Sequence, residues 1–130
     1  MHISSPDRFT ACTLLFAACL LSLPLRAAEL VYVYSPGCAA CGHFDQEIGR
    51  IYDRTDEATQ APITKIDFEH WAEHPLNSCA DDAVVGTPTF IMLNECHEVD
   101  RIVGYSNDEL FWLALQRMLN RLPTHGNAQR

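Results

Sequence analysis

Two cysteines, Cys38 and Cys41, lie three positions apart between a strand-forming run and a helical pattern. Residues 30–34 are aliphatic, β-branched and aromatic, which is typical of a short buried strand, and Ser35-Pro36-Gly37 ends it. From residue 39 onward, apolar residues recur at intervals of three and four, which predicts a helix that ends before Ala61-Pro62. A cysteine pair at such a junction can bind a metal, form a structural disulfide, or exchange electrons between thiols and disulfides.

Residues 1–27 predict a signal peptide that is removed on export to the periplasm. Arg8 precedes an apolar run at residues 11–23, and small residues follow around the expected cleavage site after Ala27. The run is shorter than the roughly 20 apolar residues that a membrane-spanning helix needs. A lipid anchor through Cys19 is the alternative, and Phe16 disfavours it because a lipobox begins with an aliphatic residue.

The rest of the chain predicts one domain at residues 28–122 and a flexible C-terminal tail at residues 123–130. The whole chain has 9 basic and 17 acidic residues and a net charge of −8. Such a charge disfavours binding to phosphate backbones, so we expect no nucleic-acid partner.

The later segments complete the predicted fold. A second strand is predicted at residues 63–68, then an irregular stretch at 69–86 with a short helix at most. Strands at 89–93 and 99–103 flank the turn Asn94-Glu95-Cys96-His97, which indicates a hairpin. Ser106 and Glu109 form a capping box for a last helix that runs to about Leu122. The order βαβ, then ββα, predicts an α/β fold with a mixed four-stranded sheet and flanking helices.

This fold suggests different roles for the two cysteines. Cys38 is predicted at the cap of the first helix, where unpaired N–H groups and the positive end of the helix dipole favour its thiolate. We therefore expect Cys38 to be the nucleophile. Cys41, one turn further and deeper, is placed to attack a mixed disulfide and release the partner.

Two other interpretations of the cysteines stay open. Four cysteines in an exported chain can form a structural disulfide framework, although a domain of this size and apolar content does not need one. A C-x-x-C pair also supplies half of a tetrahedral metal site, which makes a copper- or other metal-handling protein the non-enzymatic alternative. The remaining ligands would have to come from the other cysteines and histidines: Cys79, Cys96, His43, His70 and His74.

The strand, C-x-x-C, helix order, the Val85-Gly86-Thr87-Pro88-Thr89-Phe90 segment and the closing helix together resemble the thioredoxin superfamily. The resemblance implies a disulfide oxidoreductase that needs no bound cofactor. It also implies a cis Thr87–Pro88 bond facing the dithiol, although only about 5–6% of X–Pro bonds in folded proteins are cis. Thr87, Pro88 and Gly37 would then form the substrate-binding surface, with the Thr87 backbone pairing with an extended substrate segment.

Within the superfamily, the chain resembles the SoxS-like periplasmic thioredoxins of bacterial sulfur oxidation in its export signal, in the Ser35-Pro36-Gly37-Cys38 segment, and in Gly104-Tyr105 followed by Asp108-Glu109-Leu110-Phe111-Trp112. This resemblance implies protein disulfides as substrates, among them that of the carrier protein of sulfur oxidation. It also implies electrons from a membrane thiol donor of the DsbD/CcdA type. We expect a monomer.

The chain departs from the common thioredoxin pattern in ways that affect mechanism. The Gly-Pro spacer is Ala-Ala here, and Tyr32 replaces the buried acid that precedes the first cysteine. A phenol is a poor proton acceptor near neutrality, which leaves water, Glu29 or His43 to deprotonate Cys41. Because the spacer lacks a histidine that could stabilise the Cys38 thiolate, we expect a reductase or isomerase rather than a strong oxidase.

Cys79 and Cys96 are predicted to stay apart. The resemblance places the segment before Pro88 at the dithiol end of the sheet and the hairpin turn at the opposite end. Five strand residues span roughly 17 Å, whereas a disulfide needs Cα atoms within about 7 Å. We therefore expect a buried free Cys79 and an exposed Cys96 that can pair with glutathione or another chain.

Overall fold

Four strands form one mixed sheet in the computed structural model, which describes residues 28–123. They are β1 (Ala28–Tyr34), β2 (Ile63–Asp67), β3 (Thr89–Asn94) and β4 (His97–Val103). Their order is β2-β1-β3-β4, with β1 parallel to β2 and β3 antiparallel to both β1 and β4. The predicted topology is therefore confirmed. The predicted signal peptide, with Cys19 and the cleavage site, lies outside the described residues.

Side chains of the two central strands, β1 and β3, point alternately to the two faces of the sheet. Nearly all of them are buried, because other parts of the chain cover both faces. On one side, the helix face, five strand residues pack against the helices: Ala28, Leu30, Tyr32, Phe90 and Met92. On the other side, the loop face, the strand residues are Val31, Val33, Ile91 and Leu93. The helix face is centred on aromatic rings: Phe44 lies 4.8 Å from Tyr32, 4.6 Å from Phe90 and 5.0 Å from Phe111 between centroids.

The predicted first helix is divided in the structure. Helix α1 (Ala39–Phe44) continues through a π-helical turn (Asp45–Gly49) into α2 (Arg50–Tyr52), and α3 (Asp56–Gln60) follows after a break. Thr55 makes the break, because its hydroxyl donates to the Tyr52 carbonyl at 2.7 Å and accepts from the Ala58 N–H at 3.2 Å. The apolar spacing predicted the buried face correctly but not this internal cap.

The next two short helices, α4 (Phe68–Trp71) and a 3₁₀ helix (Pro75–Cys79), precede the long α5 (Asp108–Asn120). Asn107, not Ser106, caps α5: its Oδ1 accepts the Leu110 N–H at 2.9 Å. The predicted start was one residue early because Ser and Asn are comparable caps and both stand before an acidic first turn. None of the helices within residues 28–123 is long and apolar enough to cross a membrane.

The prediction that Cys79 and Cys96 stay apart is wrong. They form a disulfide, with Cα atoms 4.7 Å apart. The error lay in placing the whole stretch before Pro88 at the dithiol end. The stretch leaves β2 and enters β3 at that end, but between them it crosses the loop face, and its 3₁₀ helix brings Cys79 to the hairpin turn. Cys79 is buried, as expected, and Cys96 is exposed.

The β3–β4 hairpin carries two local irregularities. Its turn places Glu95 and Cys96 at φ 49° and 60°, the left-handed region that a two-residue hairpin turn uses. Two residues further, the register shifts: Leu93 pairs with Glu98 while Met92 pairs with Asp100. Val99 is therefore an extra residue, and β4 contains a β-bulge.

Candidate active site

The dithiol lies where β1 passes into α1. The turn between them uses Gly37 at φ 76°, a conformation that glycine adopts without a steric penalty. The Cys38 N–H donates to the Ser35 carbonyl at 3.2 Å, and Cys38 has extended backbone angles, so it is the N-cap of α1 as predicted.

The cap places one sulfur at the start of the helix and the other inside the domain. The Cys38 Sγ accepts the Cys41 backbone N–H at 3.2 Å, in the position where a thiolate would be stabilised by the helix amides. Cys38 is partly exposed, whereas Cys41 is 2% exposed. The two are joined in a disulfide with Cα atoms 5.2 Å apart. A thiol or disulfide partner in solution therefore meets Cys38 first.

The Thr87–Pro88 bond is cis, as predicted, and it adjoins the dithiol turn. The Thr87 hydroxyl lies 3.2 Å from the Ser35 hydroxyl, which belongs to the turn that precedes Cys38. The Pro88 carbonyl accepts the Gly104 N–H at 2.7 Å, which ties the end of β4 to the same site. Sequence-predicted Gly37, Thr87 and Pro88 therefore lie on the elements that surround Cys38.

An open groove of about 340 Å³ runs from this site toward the start of α5. Its walls include Ala40, the Thr87–Pro88 loop and Tyr105, and its rim carries two exposed apolar side chains, Val103 (65% exposed) and Leu110 (53%). The Tyr105 hydroxyl donates to the Glu47 carboxylate. Burial and this acidic neighbour raise the pKa of Tyr105, which keeps the phenol neutral. The groove therefore combines polar lining groups with exposed apolar side chains at its rim.

Tyr32 occupies the region beneath Cys41 as a neutral donor. Its hydroxyl donates to the Cys41 carbonyl at 3.3 Å, and burial together with nearby Asp45 raises its pKa. Of the proposed proton acceptors, Glu29 lies at the other end of β1, where it accepts from the Thr64 hydroxyl at 3.0 Å. His43 is exposed on α1.

An ion pair that the sequence analysis missed lies closer to the dithiol than Glu29. The Lys65 ammonium is 2.8 Å from the carboxylate of Asp45, which follows Cys41 by one helical turn. The same ammonium lies over the rings of Tyr34 and Tyr32, at 4.4 Å and 5.2 Å. The i, i+4 spacing of Cys41 and Asp45 was the available signal.

The residues considered as metal ligands are separated in the structure. Cys79 and Cys96 are bonded to each other, and the His74 Nδ1 accepts the Leu76 N–H at 3.2 Å. His70 is exposed. Between residues 28 and 123, no group of three or more histidine, cysteine or acidic side chains is arranged to hold a metal ion.

Comparisons with known proteins agree with this geometry. The Thioredoxin family model matches residues 23–116. The crystal structure of the periplasmic thioredoxin SoxS from Paracoccus pantotrophus, in its reduced form, is 30% identical with a TM-score of 0.65; the match covers 74% of this chain and 99% of that one.

More distant thioredoxins share the fold. That of Malassezia sympodialis is 13% identical with a TM-score of 0.58, covering 72% of this chain and 79% of that one. That of Aeropyrum pernix is 21% identical with a TM-score of 0.52, covering 72% and 76%. No curated protein matches the sequence. Fold, dithiol and family match agree: the chain belongs to the thioredoxin family, as a SoxS-like thiol–disulfide oxidoreductase with Cys38 and Cys41 as its C-x-x-C pair.

Proposed function

We propose that this protein is an exported thioredoxin that reduces or isomerises disulfides of partner proteins in the periplasm, with Cys38 as nucleophile and Cys41 as resolving cysteine. The observation that carries the proposal is the contrast between the two sulfurs. Cys38 is accessible and accepts a helix N–H, while Cys41 is buried within bonding distance of it.

The reaction follows from this contrast. The Cys38 thiolate attacks one sulfur of a partner disulfide, forms a mixed disulfide, and releases the other partner sulfur as a thiolate that takes up a proton. Cys41, once deprotonated, attacks the Cys38 sulfur and releases the second partner thiolate. Two electrons pass from the dithiol to the partner, and the Cys38–Cys41 disulfide is the oxidised product. No bound cofactor takes part in these steps.

The Thr87–Pro88 loop and the groove support a partner segment bound in extended form. The Thr87 backbone offers hydrogen-bonding groups beside Cys38, and Val103 and Leu110 offer apolar contacts to side chains of that segment. The expected partner is the carrier protein of sulfur oxidation. The proposed electron donor is a membrane thiol protein of the DsbD/CcdA type, and the proposed working state is a monomer.

Trapping of the mixed disulfide tests the roles assigned to Cys38 and Cys41. In the Cys41→Ser variant the mixed disulfide cannot resolve, so a covalent complex with a partner protein should accumulate in the native host. Cys38→Ser is the matched control and should trap nothing. If Cys38→Ser reduces insulin as fast as wild type, Cys38 is not the nucleophile and the proposed mechanism is wrong.

Export and redox direction need separate measurements. The mass of the protein recovered from the periplasm should correspond to a chain that begins at Ala28; an uncleaved or cytoplasmic protein would contradict the localisation. A redox titration against glutathione should give a potential well below that of a strong oxidase. A value near −120 mV would show instead that the protein oxidises its partners.

A further inference from the structure

The β-bulge in β4 brings two charged residues to the same side of the sheet. Side chains alternate along a regular strand, so residues three positions apart face opposite sides. Val99 adds one residue to this count, and Glu98 and Arg101 pair with Leu93 and Ile91. Both partners belong to the loop face. Glu98 and Arg101 therefore lie together over that face.

The two side chains form a fork-shaped ion pair. Arg101 Nε donates to Glu98 Oε1 at 2.6 Å, and Arg101 Nη2 donates to Glu98 Oε2 at 2.7 Å. The side chains are only 18% and 7% exposed, respectively. Burial acts to raise the pKa of Glu98, but the hydrogen bonds from Arg101 and the Asp81 N–H outweigh it and lower the pKa. Two-point pairs of this kind fix geometry as well as contribute energy.

The same pair holds the backbone of the segment that leads to the active site. Glu98 Oε2 accepts the Asp81 N–H at 2.7 Å. Arg101 donates to the carbonyls of Asp82, at 3.0 Å, and Ala83, at 3.3 Å. Residues 80–88 belong to no helix or strand, so their polar backbone groups need such partners.

The segment that Glu98 and Arg101 hold, residues 81–83, leads to the Thr87–Pro88 loop beside Cys38. After Ala83, Val84 is buried in the loop-face cluster, and the Gly86 carbonyl accepts the Thr89 hydroxyl at 2.7 Å. Thr87 and cis Pro88 lie between these anchors. Only three residues, 84–86, thus separate Thr87 from the segment that Glu98 and Arg101 of β4 hold.

We infer that Glu98 and Arg101 are positioning residues for disulfide exchange with protein substrates: they fix residues 81–83 and thereby set where Thr87 presents its backbone to the substrate. The inference rests on the proposed function, in which the substrate pairs with Thr87. Misplacement of a binding group by about 1 Å can reduce a rate by up to about a hundredfold. A small disulfide that reaches Cys38 without pairing with Thr87 does not depend on this placement.

The test compares two substrates in four proteins. The kcat/KM for insulin reduction and the rate of reduction of bis(hydroxyethyl) disulfide, a small disulfide without peptide groups, are measured for wild type, Arg101→Met, Arg101→Lys and Arg121→Met. Arg121→Met is the matched control, because Arg121 also forms an ion pair with β4, to Asp100 at 2.9 Å, but does not contact residues 81–83.

We expect Arg101→Met to lose about tenfold in kcat/KM for insulin, mainly through a higher KM, with less than a twofold change for bis(hydroxyethyl) disulfide. Arg101→Lys, which keeps the charge but not the fork, should fall between Arg101→Met and wild type, and Arg121→Met should match wild type. An equal loss on both substrates, or no loss on insulin, overturns the inference.

Two further measurements cover the cases in which Arg101→Met does not fold or the proposed function itself is wrong. If Arg101→Met does not fold, Glu98→Gln is measured in its place, with the same ratio of the two substrates as the criterion. Failure of the proposed function is a different result, because then wild type and Cys38→Ser would reduce insulin equally, whatever Arg101 does.

Discussion

Breaking the Cys79–Cys96 disulfide should lower the free energy of unfolding by about 3 kcal/mol. The bond joins residues 17 positions apart, and a cross-link of that span removes roughly this much chain entropy from the unfolded state. For a domain of this size, the loss corresponds to a fall of roughly 12–24 °C in Tm. It is a large part of the 5–15 kcal/mol that stabilises a typical domain.

The measurement needs a chain in which reductant acts on this bond alone. In a Cys38→Ser/Cys41→Ser background, urea unfolding of the oxidised and the fully reduced protein compares two states of one sequence. The difference in unfolding free energy then contains no contribution from a changed side chain. A further variant with Cys79→Ala and Cys96→Ala should resemble the reduced protein and should not respond to reductant.

A difference below about 1 kcal/mol would refute the reasoning, because the chain-entropy argument allows no such small value for this span. It would mean that the unfolded chain already keeps the loop-face stretch close to the hairpin. An effect of reductant on the variant without Cys79 and Cys96 would show that the measured difference has another source.

The remaining predictions concern packing and pH. Phe44→Ala should lower the unfolding free energy by about 3–5 kcal/mol in urea titrations, because Phe44 lies at the centre of the aromatic cluster; a loss below 1 kcal/mol would contradict that placement. Burial, and then nearby acids, raise the pKa of Tyr52, whose hydroxyl donates to the Ala61 carbonyl at 2.7 Å. Tyr52 therefore stays protonated to higher pH in the folded protein than in the unfolded chain, so the free energy of unfolding should fall as the pH rises above about 10. Tyr52→Phe should weaken this pH dependence, as measured by urea titrations at several pH values. Hydrogen bonds from Arg101 lower the pKa of Glu98 despite its burial. The ionised Glu98 should therefore stabilise the folded protein at pH values above its unfolded-state pKa, and this stabilisation should be lost as the pH falls through the folded-state pKa. If the free energy of unfolding of Glu98→Gln falls with acid in the same way as that of wild type, this reasoning is contradicted.

The sequence was sufficient for features that local chemistry determines. The β-branched and aromatic residues at 30–34 predicted β1, and the glycine and the cysteine after it predicted a turn and a capped helix start. The two sulfurs could be assigned different exposure from their positions on one helical turn. The cis Thr87–Pro88 bond came from the family resemblance alone, because nothing in its local sequence distinguishes it from a trans bond.

Features that depend on long-range packing could not be predicted. The stretch at 69–86 has no regular apolar period, so its path over the loop face, and with it the pairing of Cys79 and Cys96, is set by contacts with β3 and β4. The bulge at Val99 leaves no clear signal in residue type. Without it, Glu98 and Arg101 would be placed on opposite faces of β4.

The six residues of β3 also separate the two disulfides of the domain, Cys38–Cys41 and Cys79–Cys96. Thr87, which contacts the turn before Cys38, lies two residues before the first residue of the strand, and Cys96 of the second disulfide lies two residues after its last, Asn94. Five residue steps put roughly 17 Å between the first and last residues of the strand, far beyond the reach of one sulfur for another. Among the described residues, the Cys79–Cys96 disulfide therefore lies out of reach of Cys38 and Cys41, so the proposed exchange at one disulfide leaves the other intact.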